Sequence, residues 1–87
     1  MTSLTALHSL LGRLKGYGDS DRLKQAAMQE VQESLRELNL SRRQFLREAA
    51  KLDLDVTTVT SLGNWISCTF MPTADHVDRL IEALEAV

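Results

Sequence analysis

Residues able to do chemistry are few and scattered in this chain. Two histidines, His8 and His76, and one cysteine, Cys68, are the only side chains of their kinds. A metal site needs three or four convergent ligands at workable spacing. His8 and His76 fall in separate expected helices with no second ligand beside either. Cys68 and His76 would make a nucleophile pair, yet Cys68 lies among Thr69, Phe70 and Met71 and reads as a small half-buried residue. Gly16-Tyr17-Gly18 lacks the lysine and Ser/Thr of a phosphate loop and reads as a turn, with Tyr17 packed on the first helix. No pair of carboxylates suggests acid–base work. The expectation is no enzyme, no metal and no cofactor.

A second set of side chains suits recognition instead. Thr57, Thr58, Thr60, Ser61 and Asn64 supply hydrogen-bonding groups over one short segment. Asn can make a paired hydrogen bond to adenine, and Thr or Ser can reach several bases. Arg42, Arg43 and Gln44 could hold phosphates, and Arg47 extends the basic run. A solvated face with Glu37 and Glu48 nearby is the plain alternative for these arginines. For a protein partner, Leu54, Phe70 and Met71 are candidate apolar anchors, with Asp53, Asp55, Asp75, Asp78 and Glu82 as the charged surround. Core or linker packing is the plain alternative for each anchor.

Those groups need a scaffold, and the composition allows one kind. Eighty-seven residues with a 44% apolar fraction make a single domain, which buries roughly 60–65% of its unfolded surface. β-branched residues are sparse except around Val56–Thr60, leaving nothing to build a sheet from. One proline and four glycines suit a few helices joined by short links. The lone cysteine excludes an internal disulfide, and no secretory signal or membrane-length apolar run is present, so a cytoplasmic protein is expected.

Five helices are expected. The first runs from about Leu4 to Leu14, capped by Thr2 or Ser3 and stopped at 16–19. At some eleven residues it would serve as a lid on the core or a dimer contact. Ser20 caps the second, whose stripe is Leu23, Ala27, Val31, Leu35 and Leu38. Ser41 and Gln44 form a capping box for the third, with Leu40 and Phe45 as a hydrophobic staple, continuing through Leu46, Ala49, Ala50 and Leu52. After a turn at 53–56, Thr57 or Thr58 caps a fourth helix with Val59, Leu62, Trp65 and Ile66 inward. Gly63 weakens that helix by about 1 kcal/mol relative to alanine. Thr73 caps the fifth, which buries Val77, Leu80, Ile81 and Leu84.

Residues 40–84 resemble the helix-turn-helix of phage-repressor-like (Xre/Cro) regulators. The resemblance rests on Leu40-Ser41-x-x-Gln44, on Trp65 with six residues before Pro72, and on Thr73 opening Val77-x-x-Leu80-Ile81-x-x-Leu84. Leu40 stands twenty-five residues before Trp65, about six more than the tight turn of the ordinary motif allows. The extra residues fall near Lys51–Thr57, and the usual glycine turn is missing. Such an extended turn is similar to that of conjugative-element regulators, which include FseA-type activators and the small QseM-type antiactivators. The second group implies an acidic single domain that captures an activator.

Charge distribution separates the two roles. Residues 1–52 carry nine Lys/Arg against six acids, a net of +3; residues 53–87 carry Arg79 alone against six acids, a net of −5. Phosphate contacts supply much of DNA affinity, and the C-terminal part offers few. The expectation is therefore an antiactivator that binds a transcriptional activator, FseA-like or quorum-sensing, in conjugative transfer. The alternative is a DNA-binding repressor that uses the fourth helix. Arg42, Arg43 and Arg47 gathered beside an open fourth helix, with the carboxylates turned away, would favour that alternative.

Overall fold

Leu7, Leu11 and Leu14 lie buried along one side of the first helix, α1 (Ser3–Tyr17). This side packs on α2 (Asp21–Glu37) and α5 (Ala74–Ala86). The helices α3 (Arg42–Lys51) and α4 (Val59–Ile66) complete the fold. The computed structural model describes residues 3–17 and 20–87, and of Tyr17 only the backbone. The chain is all-helical, with no strand among the described residues. Among the described residues no helix is long and apolar enough to cross a membrane.

The core draws on every helix. Ala27, Met28, Val31 and Leu35 come from α2, Phe45 and Ala49 from α3, and Leu62 and Trp65 from α4. The α5 stripe Val77, Leu80, Ile81 and Leu84 is buried as its spacing predicts, joined by Ala83. Phe45 is the bulkiest of the fully buried side chains; truncating such a residue typically costs about 3–5 kcal/mol.

The helix starts follow local sequence closely. Ser41 Oγ accepts from the Gln44 amide at 3.1 Å while Gln44 Oε1 accepts from the Ser41 amide at 2.9 Å, so the capping box is complete. Ser20 and Thr58 cap α2 and α4 through the amides of Leu23 and Ser61. α1 departs from expectation. It begins at Ser3, whose hydroxyl donates to Glu37 at 2.8 Å instead of capping, and it runs through Gly16 to Tyr17. Packing of α1 against α2 and α5 outweighs its two glycines, Gly12 and Gly16. Thr2, Gly18 and Asp19, and the packing of the Tyr17 side chain, lie outside the described residues.

The helix ends were less legible. α2, α3 and α4 each finish in the same way, with a left-handed residue at Asn39 (φ 56°), Asp53 (φ 59°) and Cys68 (φ 63°). In each, the next amide donates back to the carbonyl five positions earlier: Leu40 to Leu35, Leu54 to Ala49 and Thr69 to Asn64, all at 2.9 Å. These are Schellman stops, usually made with glycine. Leu38 and Leu52 consequently become cap residues, 41% and 51% exposed, instead of extending the apolar stripes. Val59, expected inward, is exposed at the first position of α4. Cys68 is exposed, not half-buried, because the left-handed turn directs it outward from the link.

Two substitutions test these conformations through stability. Cys68→Gly removes a left-handed non-glycine residue and should raise stability by about 0.5–1 kcal/mol in urea unfolding. Ser34 Oγ is buried with no hydrogen-bond partner among the described residues. Ser34→Ala should therefore stabilise by about 0.5–1.5 kcal/mol, seen as a Tm several degrees higher.

Candidate functional site

The polar residues of α4 divide by their place on the helix. Leu62 and Trp65 point into the core, so Thr60 and Asn64, four apart, stand on the opposite side. Thr60 is exposed and Asn64 half-buried, and neither side chain has a hydrogen-bond partner among the described residues. Thr58 and Ser61 are committed to each other: the Thr58 hydroxyl donates to Ser61 Oγ and accepts from the Ser61 amide, both at 3.1 Å. Thr57 is half-buried just ahead of the cap. Of the five candidates on this segment, Thr60 and Asn64 are the ones left with unspent donors and acceptors at the surface of the helix. Residues 56–74 contain no charged side chain.

Charge arrives at α4 from α3. A Cβ built on Gly63 would meet the Arg42 guanidinium at 3.2 Å, so Arg42 lies against α4. Around α3 the order Arg42, Leu46, Ala50, Arg43, Arg47 sweeps one half of the helix, continuing outward from the α4 side. Glu48 sits on the other half, where Lys51 pairs with it at 3.1 Å. Arg42, Arg43 and Arg47 are exposed and have no ion-pair partner among the described residues. Gln44 Oε1 is held by the capping box, which makes it a structural residue first.

The C-terminal carboxylates are largely engaged elsewhere. Asp78 faces α1 and accepts from Lys15 at 3.4 Å, and Glu85 pairs with His8, also on α1. Asp75 pairs with Arg79 at 3.2 Å. Asp53, Leu54, Asp55 and Glu82 come together, with Val56 and Arg79, around a groove of about 170 Å³ between the α3–α4 link and α5. Leu54 is half-buried against the core. Phe70, 63% exposed, and the half-buried Met71 belong to the α4–α5 link and do not line this groove. Exposed ion pairs of this kind contribute little to stability. Their effect is to localise charge.

Several roles went unread in the sequence. His76 is the capping-box partner of Thr73: its Nδ1 lies 3.4 Å from the Thr73 amide, and its ring sits 4.8 Å from Trp65, centroid to centroid. The spacing Thr73-x-x-His76 was the available signal, obscured because Glu or Gln usually fills that place. Gly63 is the seat for Arg42, which no local pattern announces. Among the described residues, no three His, Cys, Asp or Glu side chains gather as metal ligands would.

Gly63→Ala tests the Arg42 contact. Alanine favours the helix by about 1 kcal/mol, and the flexible end of Arg42 needs to retreat only a few tenths of an ångström. The variant should be as stable as the parent or more so, with amide shifts near Arg42 reporting the displacement. Set against family models, curated proteins and solved structures, the chain matches none of them.

Proposed function

We infer that this chain is a small transcriptional regulator that binds duplex DNA, with α3 and α4 acting as a helix-turn-helix joined by an extended turn. One observation carries the reading: Arg42, Arg43 and Arg47 are exposed and without an ion-pair partner among the described residues, and Arg42 lies against α4, a helix with no charge of its own. Arginines flanking a recognition helix hold phosphates and fix register. Thr60 and Asn64 would then meet base edges in the major groove, Asn64 reading adenine. The negative total for residues 53–87 weighs less against this where Asp78 meets Lys15 of α1, a cation from outside that stretch, and Glu85 meets His8 on the same helix.

A second reading is favoured by a separate feature. Asp53, Leu54, Asp55 and Glu82 share one groove, an acidic patch with an apolar wall. In that reading the chain is an antiactivator that captures a basic surface of a transcriptional activator. Charge would speed the encounter and buried apolar anchors would hold it.

Amide-shift titrations separate the two. Duplex DNA selected from a random pool should shift Thr57–Asn64 and the start of α3. Binding should weaken steeply with salt, and Arg43→Ala or Arg47→Ala should lower the salt slope by about 0.9 for each phosphate no longer neutralised. Asn64→Ala should cost about 1–3 kcal/mol at one base position and relax specificity there. DNA that leaves α4 unmoved, while an activator shifts residues 53–55 and Glu82, would sink the first reading in favour of the second.

A further inference from the structure

Phe70 is the most exposed large apolar side chain among the described residues, at 63%. A lone exposed apolar residue is ordinary, but this one is held at the C-terminal end of α4. The Asn64 carbonyl accepts from the amides of Thr69 at 2.9 Å and Phe70 at 3.3 Å, and from the Ser67 hydroxyl at 3.2 Å. Two residues further on, Pro72 is fully buried, and Thr73 then caps α5. The link is thus tied to Asn64, whose side chain has no hydrogen-bond partner among the described residues. The Phe70 ring stands out from a backbone fixed on both sides.

The surroundings of the ring are neutral. Residues 56–74 carry no charged side chain, so laying this stretch against base edges leaves no charge of its own desolvated. Aromatic side chains meet DNA as wedges that unstack a step from the minor groove, or as apolar contacts to the thymine methyl in the major groove. A helix that reads adenine through Asn64 from the major groove selects the second. The Phe70 amide lies 3.3 Å from the Asn64 carbonyl, close to the roughly 3.4 Å between successive bases of one strand. We propose that Phe70 reads the C5-methyl of a thymine within two base pairs of the adenine taken by Asn64, a step that rests on the duplex-DNA reading of α4 and adds a second specified base pair to it.

Replacing thymine by deoxyuridine removes the methyl and nothing else. Each thymine of a duplex selected from a random pool is replaced in turn, and binding is measured for the full chain and for Phe70→Ala. The parent should lose about three- to fivefold in affinity at one position, the worth of one buried methyl. That position should lie within two base pairs of the adenine whose selection Asn64→Ala relaxes. Phe70→Ala should bind the thymine and deoxyuridine duplexes equally, with helical circular dichroism and salt slope unchanged, while Phe70→Leu keeps part of the preference. A parent chain indifferent to every replacement, with Asn64 still selecting adenine, overturns the role of Phe70 and leaves the DNA reading standing. So does a methyl preference that survives Phe70→Ala. A chain that binds no duplex, while an activator shifts Phe70 instead, overturns both.

Discussion

An eight-residue helix does not hold its shape alone in water, because nucleation costs more than so few hydrogen bonds return. α4 exists because Leu62 and Trp65 are buried against the other helices, and Gly63 within it only sharpens that dependence. Whatever α4 presents outward is therefore positioned by what it buries inward. Thr60 and Asn64 face solvent because Leu62 and Trp65 cannot. The same packing brings Arg42 onto Gly63, where any larger side chain would push the guanidinium back.

Trp65 couples this arrangement to the next helix. Its ring lies beside His76, and His76 also serves the N-terminus of α5 through Thr73. The link between α4 and α5 is then defined at both ends: by the Schellman stop at Cys68 and by the capping box at Thr73. Phe70 is left protruding between two fixed points. The stretch between α3 and α4 is governed similarly, with Asp53 turning the chain, Val56 buried, and Thr58 starting the helix. That stretch is long, yet both of its ends have defined backbone hydrogen bonds.

Charge summed along a chain and charge arranged in space lead to different conclusions about partners. Residues 53–87 carry a net of −5, which suggests repulsion from a polyanion. Folding brings α1 alongside α5, so Lys15 and His8 from the basic part meet Asp78 and Glu85 from the acidic part. The arginines of α3 have no such partners among the described residues, and Arg42 among them lies against α4. The acidic character is concentrated instead at the α3–α4 link, where Asp53, Asp55 and Glu82 share a groove with Arg79. A basic face and an acidic groove thus occupy different parts of one small domain.

Helix number, helix starts and most of the core were written into the sequence. Ser20, Ser41, Thr58 and Thr73 act within four residues of themselves, and the apolar spacing of α5 needs no neighbour to be read. The candidate site was half legible for the same reason. Residue types on α4 were visible, but Thr58 and Ser61 turned out to satisfy each other. Helix ends depended on Asn39, Asp53 and Cys68 adopting a conformation that glycine ordinarily signals. Which charges of α1 and α5 meet and where Arg42 rests were decided by tertiary structure. Those properties belong to pairs of residues far apart in the chain, and no local spacing encodes the distance between them.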